Sequence, residues 1–375
     1  MLHITDEYDY LTELVRCTIH EITPSECPSG VMFDSVYKCG VRHDLANIAY
    51  YSVEKLSVLP EHEVLKKWRA RRDSTIVRDM NQSFARDEIL REFRERGICS
   101  VEVQGTVLKK LYPKSEYRTM SDIDFIVLPE KLSEAGEVLE SLGYECRENR
   151  GVEIDGFRAP NIRVEVHTEF FPFNTDYYKT MPLPVDEMRK CGGSYKVTDE
   201  EFYLYNALHI AKHYFGEGCG IRRVLDLYYL NETFPDIADS DYVKSMLQSV
   251  GMYDFIRDLS LLAVQWFGKE ACDPDPGLLE IVQVLKDAGV HGNVRRKVTN
   301  KIKKDGTKGK KNVKLKYVLS RIFPPKWVMI ENYPILKRHF WLIPFCFIHR
   351  LFKGLTKKRK RVAEEIRTLR DTDVK

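Results

Sequence analysis

The sequence predicts an α+β protein in which a strand-rich segment lies between helical regions. After Ile98, Val101 and Val103 alternate with polar residues at the period-two spacing of a strand, and Ile123 to Leu128 form a nearly continuous apolar strand. Before Ile98 and after Thr198, apolar residues recur at helical spacing instead. A chain of 375 residues is long enough for two or three domains.

The flanking elements follow from the same patterns. Helices are predicted over 46–53, 61–71 and 85–96, and Gly97 suits the left-handed end of the third. Pro129 is expected to begin a helix that Gly143 ends, and short strands are expected near 144–147 and 161–168. Thr198 and Glu201 have the spacing of a capping box, which opens a helical stretch to about residue 285. Residues 300–312, rich in Gly and Lys, are predicted to be a solvated linker.

These patterns divide the chain into four regions. They are an N-terminal helical region (1–96), a core (97–197), a helical domain (198–294) and a basic helical C-terminal extension (295–375). The formal net charge is only +3, but residues 295–375 hold 25 Lys+Arg against 6 Asp+Glu, a net of +19. The preceding residues hold 34 against 50, a net of −16. Such asymmetry is typical of a basic segment with a polyanionic partner.

Cysteine usage and hydropathy bear on the compartment. The nine cysteines are spread singly without a C-x-x-C pair, which argues against a disulfide framework and a zinc ribbon. The acidic N-terminus lacks the features of a secretory signal, and no apolar run approaches the length of about 20 residues that spans a bilayer. We expect a cytoplasmic protein, with a peripheral position at the inner membrane surface as an alternative.

Three acidic residues form the most informative pattern. Asp122 and Asp124 flank Ile123 at the start of the apolar strand, so their side chains point to one face. Adjacent carboxylates repel each other, and Mg²⁺ with oxygen ligands is the natural compensation. Glu165 lies between the apolar Val164 and Val166 on a later strand. If that strand is a neighbour, the three carboxylates can hold two metal ions about 3.5–4 Å apart, the arrangement for phosphoryl transfer.

Phosphate-binding candidates precede the carboxylates. Gly105 and Thr106 follow a strand and begin a predicted helix, where backbone N–H groups and a hydroxyl can approach phosphate oxygens. Lys109, Lys110 and Arg118 are available to neutralise phosphate charge.

These motifs resemble the bacterial uncharacterised nucleotidyltransferase family, within the DNA polymerase beta superfamily. The resemblance covers roughly residues 40–290. It departs from the wider superfamily at Thr106, where Ser is usual, and at Glu165, where Asp is common. The matching positions are Gly105, Tyr112-Pro113, Arg118, Asp122, Asp124, Glu165, His167, Leu208-His209, Lys212-His213 and Arg223 to Asp226.

The resemblance implies the nucleotidyltransferase fold, a small mixed sheet flanked by helices. It also implies an ATP-binding or other NTP-binding enzyme that transfers a nucleoside monophosphate to an acceptor and releases pyrophosphate. Asp122, Asp124 and Glu165 would be the catalytic metal ligands for two Mg²⁺ ions, with Mn²⁺ as a substitute. The nucleotide would contact Gly105, Thr106, Lys109, Arg118, His167 and Lys212. The acceptor, whether a small molecule, a glycan precursor, RNA or a protein, is not indicated.

Several alternatives stay open on the residues alone. Glu165 can instead pair with Arg163 or His167 on an exposed strand face. His209 and His213 share a helix face and are expected to be packed or hydrogen-bonded rather than zinc ligands, although this face can border the nucleotide cleft near Lys212. Asp226 is expected to be semi-buried and to pair with a basic residue such as Arg222, Arg223 or one of the two histidines.

The basic extension has three interpretations. Residues 295–361 combine Lys/Arg clusters with a continuous apolar, aromatic stretch from Phe340 to Ile348, which favours an anionic membrane surface or a partner protein over nucleic acid. Alternatively, the aromatic residues, among them Trp327, pack on the body. A non-catalytic alternative for the whole protein is a nucleotide-sensing or scaffolding module that acts through this basic tail, which would bind a membrane or a partner protein.

Overall fold

The computed structural model describes residues 3–149, 151–172, 175, 177–290, 292–307, 313–324, 329, 333–337, 339–356 and 359–371. It has the predicted α+β architecture, with one five-stranded mixed sheet in the described part and helices on both sides of it in the sequence. Two compact units are present: Met1–Ala211 with Gly220–Lys286, and Lys212–Cys219 with Asp287–Lys375. None of the described helices is both long enough and apolar enough to cross a membrane.

The strands of the sheet lie in the order β1-β2-β5-β4-β3. Only the β2–β5 pair is parallel among the pairs described, and the neighbouring strands run antiparallel. The strands are β1 (Ser100–Val103), β2 (Ile123–Val127), β3 (Glu145–Asn149), β4 (Glu153–Arg158) and β5 (Ile162–His167). Sequence patterns predicted β1, β2, β3 and β5 but not β4. Its Ile154 and Gly156 are buried, whereas the charged residues between them interrupt the apolar signal.

Four helices precede the sheet: α1 (Glu7–Ile19), α2 (Phe33–His43), α3 (Ala46–Val53) and α4 (His62–Glu95). The prediction of separate helices over 61–71 and 85–96 was wrong, because α4 is continuous. No Gly or Pro interrupts residues 72–84. The buried stripe continues through them at Thr75 and Gln82, and the Gln82 side chain donates to the Met120 carbonyl at 3.2 Å. Polar residues at these buried positions concealed the helical periodicity.

The hydrophobic core packs against one face of the sheet. Ile123 and Phe125 of β2 and Val164 and Val166 of β5 are fully buried against α4 and α6 (Leu132–Ser141). Gly143 follows α6 with a φ of +82°, the left-handed conformation predicted for this helix end. Because side chains alternate along a strand, the residues between these apolar positions lie on the opposite face of the sheet.

One further helix lies within the sheet region, and the others up to residue 288 follow it, with the ends of two of them in the second unit. A short helix α5 (Gly105–Leu108) lies between β1 and β2, and the Thr198–Glu201 capping box is formed, with hydrogen bonds of 2.8 and 3.2 Å. Helices continue to residue 288, as predicted. They are α7 (Val185–Lys190), α8 (Asp199–Phe215), α9 (Arg222–Thr233), α10 (Pro235–Ala238), α11 (Asp241–Ser249), α12 (Tyr253–Phe267) and α13 (Leu279–Ala288).

The second unit contains α14 (Val294–Thr307), α15 (Val313–Ile322), α16 (Ile343–Thr356) and α17 (Arg359–Asp371). The linker predicted over 300–312 is helical from 300 to 307, and residues 308–312 lie outside the described residues. The reason is a small core, in which Val298 and Ile302, four residues apart, are buried with Val313 and Tyr317. Trp327, Lys357 and Lys358 of the predicted basic tail also lie outside the described residues.

Candidate functional site

The open face of the sheet brings two of the predicted carboxylates together. In the parallel β2–β5 pair, Asp124 is the direct partner of Glu165, and His167 follows two residues later on the same face. Ligand atoms of Asp124, Glu165 and His167 all lie within 4.8 Å of one another. The two carboxylates come from residues 41 positions apart in the chain, so their proximity depends on the strand register.

A second acidic group adjoins the first. On β4, Glu153 lies opposite His167 and Asp155 lies opposite Glu165. Carboxylate oxygens of Glu153, Asp155 and Glu165 also lie within 4.8 Å of one another. Glu165 therefore belongs to both groups. Sequence reasoning missed Glu153 and Asp155 because it missed β4, although their alternation with Ile154 was a usable signal.

Asp122 lies immediately before β2. It belongs to neither group of ligand atoms that all lie within 4.8 Å of one another. It is nevertheless part of the same electrostatic environment. Burial, followed by the charge of Asp124, raises the pKa of Asp122 to about 6. The structure thus supports close contact for Asp124 and Glu165 and an adjacent position for Asp122.

The carboxylates are short of compensating positive charge. Burial raises the pKa of Glu165 to about 7, and the charges of Asp122 and Asp124 add to the effect. A buried carboxyl group that holds its proton near neutrality marks a place where a cation would be stabilised. The donor set, with its closely spaced oxygens, fits a divalent metal ion.

His167 lies between the two acidic groups. Its Nε2 is 3.5 Å from Asp124 Oδ1 and 3.6 Å from Glu165 Oε2, and its Nδ1 is 3.5 Å from Glu153 Oε2. Burial disfavours the imidazolium, but the hydrogen bonds to Asp124 and Glu153 outweigh it and raise the pKa of His167 to about 10. The hydrogen bond from His167 in turn lowers the pKa of Glu153 to about 2. A protonated His167 therefore supplies part of the missing positive charge.

Two arginines border the carboxylates. Arg163 on β5 contacts Asp155 Oδ1 at 2.9 Å and Glu165 Oε1 at 3.0 Å, and its side chain is 50% exposed. Pairing of Glu165 with Arg163 and His167, the alternative raised by the sequence, is therefore present. Arg223 on α9 is closer to the interior and lowers the pKa of Asp122 through its charge.

Gln104 is a residue to which the sequence patterns assigned no role. It lies between β1 and α5 with φ 53° and ψ −126°, a conformation that favours glycine, and its Nε2 donates to Asp124 Oδ1 at 3.2 Å. A non-glycine residue in such a strained conformation, hydrogen-bonded to a candidate ligand, is typical of a functional site. Its position directly before Gly105 was the available signal.

Gly105 and Thr106 begin α5, as predicted. A Cβ at Gly105 would lie 2.6 Å from Arg118 Nη1 and 2.9 Å from Met120 Cβ, so the glycine permits a close approach of the loop before β2. Thr106 is fully buried, and its Oγ1 has no hydrogen-bond partner among the described residues. A phosphate contact for either residue stays a prediction.

Arg118 and Lys109 are both held in buried ion pairs. Arg118 Nε and Nη2 donate to Asp226 Oδ1 and Oδ2, each at 3.0 Å, and Lys109 Nζ pairs with Asp79. Asp226 is therefore paired with basic residues as expected: Arg118 is the main partner, and Arg223 Nη1 lies 3.5 Å from Asp226 Oδ2. Arg222 instead pairs with Asp44 at 2.9 Å.

The candidate residues on α8 contribute less to the site on the open face of the sheet. His209 is buried beside Tyr205, with ring centroids 5.8 Å apart. Within the described residues, neither His209 nor His213 belongs to a group with metal-ligand spacing. Lys212 lies in the last turn of α8 and belongs to the second unit, so its nucleotide contact stays a prediction.

Comparison with models of protein families places most of the chain in a described family. The model of the family described as "Uncharacterised nucleotidyltransferase" matches residues 29–268, more than half of the chain. The matched region includes the whole sheet, α5 and α9. No curated protein and no solved structure matches.

Proposed function

The chain belongs to the uncharacterised nucleotidyltransferase family, and we propose that it transfers a nucleoside monophosphate from an NTP to an acceptor with release of pyrophosphate. The observation that carries the proposal is the direct pairing of Asp124 with Glu165 on parallel strands, with His167 beside them. Buried acidic groups of this kind are the usual protein contribution to metal-assisted phosphoryl transfer.

Asp124 and Glu165 would hold the divalent metal, with Asp122 as a further ligand. The oxygen-rich donor set favours Mg²⁺, with Mn²⁺ as a substitute, and a pair of ions is the arrangement that the three carboxylates can serve. Bound metal would neutralise charge on the triphosphate and on the attacking and leaving oxygens. The raised pKa values of Asp122 and Glu165 support this assignment, because both groups lack a sufficient positive partner.

The protein groups around the carboxylates have separate tasks in this proposal. Gln104 orients Asp124 through its hydrogen bond, and His167 holds a proton between Asp124 and Glu153 until the metal site is filled. Backbone N–H groups at Gly105 and Thr106 would contact the phosphates. Arg163, half exposed, is placed to exchange its carboxylate partners for a phosphate.

Arg118 and Lys109 would act as supports in this proposal. Both side chains are at least nine-tenths buried and already paired with a carboxylate. Moving either to a phosphate would take the main charged partner away from Asp226, which is fully buried, or from Asp79, which is half-buried. We therefore assign them to positioning the loop between β1 and β2.

The direct test is labelling with α-³²P-NTPs, Mg²⁺ and a cell extract, followed by identification of the labelled molecule. Asp124→Asn and Glu165→Gln should abolish labelling while the variants stay folded. Glu148→Gln, which changes an exposed carboxylate on β3, is the matched control and should leave labelling unchanged. If no NTP is bound or consumed with Mg²⁺ or Mn²⁺, a nucleotide-sensing or scaffolding role replaces this proposal.

A further inference from the structure

Helix α16 in the second unit is apolar on two sides. Its inner side packs into a small core, in which Cys346 is buried with Met329 and Leu336, and Ile343 and Phe347 lie against it. A helix whose apolar residues surround its axis is normally covered on all sides. The outer side of α16 is therefore the feature that requires an explanation.

The outer face of α16 is formed by Trp341, Phe345, Ile348 and Phe352. Their exposed fractions are 69%, 64%, 65% and 67%. The spacings of four, three and four residues align them along one side of the helix and the turn before it. Four large apolar side chains exposed in a row indicate an interaction surface rather than scattered surface residues.

The sequence around this face carries charge of one sign. Residues 332–363 contain nine Lys+Arg and no Asp or Glu. Lys353, directly after Phe352, and Arg359 at the start of α17 are exposed. A second copy of the chain would bring two such basic surfaces together, and their repulsion disfavours self-association through this face.

We propose that the outer face of α16 docks on the surface of an anionic lipid bilayer. Aromatic and aliphatic side chains would enter the headgroup region, and the flanking basic residues would contact lipid phosphates. The helix has 14 residues, about 21 Å in length, so it lies along the surface and does not cross a hydrocarbon core of about 30 Å. This proposal concerns where the enzyme works and does not depend on its reaction.

The continuous apolar stretch also favours lipid over nucleic acid as the partner of this face. Binding of single strands uses aromatic residues that alternate with cations along a groove. Here no cation interrupts the residues from Phe340 to Ile348, and six of the nine Lys+Arg between residues 332 and 363 follow Phe352. This order of apolar and basic residues along the chain favours insertion into a lipid interface bounded by anionic headgroups.

Vesicle sedimentation of the full-length chain tests the proposal. We compare vesicles of phosphatidylcholine alone with vesicles that contain one third phosphatidylglycerol. The parent protein should bind the anionic vesicles, and rising salt should weaken binding. The variant Phe345→Ser with Ile348→Ser and Phe352→Ser should bind at least about tenfold more weakly, since three apolar side chains no longer enter the interface. All three positions are exposed, so the fold should be kept.

Phe84→Ser is the matched control, because Phe84 on α4 is 69% exposed and lies in the other unit. It should bind vesicles like the parent. Equal vesicle binding by the triple variant and the parent would overturn the proposal. Three further results would do so: no binding to anionic vesicles, dimerisation in ultracentrifugation that the triple variant abolishes, or salt-sensitive RNA binding that vesicles do not displace.

Discussion

Arg118 and Asp226 form a two-point ion pair that is almost completely buried and joins the loop before β2 to α9. Both donor–acceptor distances are 3.0 Å, and Asp226 also accepts a hydrogen bond of 2.7 Å from Tyr112 Oη. Burial raises the pKa of Asp226, but the charge of Arg118 outweighs it and holds that pKa at about 2. The pair fixes the segment that leads into Asp122 and Asp124.

Arg118→Ala should strongly destabilise the protein. It leaves Asp226 as a buried charge without its main partner, and breaking such a pair costs about 3–5 kcal/mol. Urea unfolding at neutral pH measures the loss. Arg118→Met combined with Asp226→Leu removes both charges and should recover much of it. If Arg118→Ala unfolds like the parent but raises the KM for NTP, the phosphate contact implied by the family resemblance is correct and the supporting role is wrong.

Gly105→Ala should destabilise the first unit because the new Cβ would lie 2.6 Å from Arg118 Nη1 and 2.9 Å from Met120 Cβ. We expect a cost of about 1–3 kcal/mol, typical of overpacking. Thermal unfolding measures it. Gly277→Ala is the control, because nothing lies within 4 Å of a Cβ placed there. Equal stability of both variants would show that the glycine is not required by the Arg118 contact.

Divalent metal should stabilise the protein against heat. A ligand present at about 100 times its Kd adds about 2.7 kcal/mol, which corresponds to a rise in Tm of about 5 °C for a unit of this size. Glu165→Gln should lose most of the rise, and Glu148→Gln should keep it. Differential scanning fluorimetry with Mg²⁺ or Mn²⁺ against EDTA measures the shift. A rise that is unchanged in Glu165→Gln would place the metal elsewhere.

Metal affinity should increase with pH between about 6 and 8. The pKa of Asp122 is about 6 and that of Glu165 about 7, so protons compete with metal in this window. We expect at least about tenfold tighter Mn²⁺ binding at pH 8 than at pH 6, with release of protons. Calorimetry in buffers of different ionisation enthalpy measures both. Affinity that is independent of pH contradicts the assignment of these carboxyl groups.

The stability of the metal-free protein should decrease as the pH rises, whereas its metal affinity should increase. The folded pKa of Glu165 is raised from 4.5 to about 7, so the folded state holds the proton more tightly than the unfolded state. The resulting stabilisation is present below about pH 4.5 and is lost as pH rises through 7. In EDTA, the fall in Tm between pH 5 and pH 8 should be smaller for Glu165→Gln than for the parent. An equal fall in both would exclude Glu165 as its source.

His167→Gln discriminates between two roles for the histidine. If His167 only supplies positive charge to Asp124 and Glu153, its removal should tighten Mn²⁺ binding at pH 7, because a competing cation is gone. If it is a metal ligand, binding should weaken instead. Titration with Mn²⁺ followed by electron paramagnetic resonance measures free metal directly. We expect tighter binding.

Much of the fold was predictable from local patterns. The apolar run of β2, the alternation around Glu165, the Thr198–Glu201 capping box and the glycine at the end of α6 are signals within a few residues. Each reflects backbone or burial preferences that nearby residues decide. Where polar residues occupy buried positions, as Gln82 does in α4, the same reasoning divided a continuous helix in two.

Local patterns place acidic residues at the start of β2 and in the middle of β5, and composition shows that the chain is acidic before residue 295 and basic after it. Which of these residues come close to one another depends on the three-dimensional fold. Strand order and register place Asp124 opposite Glu165, and the fold brings Arg118 to Asp226 from 108 residues away. Pairings of this kind depend on long-range packing and on the exclusion of water, which no local pattern in the chain encodes.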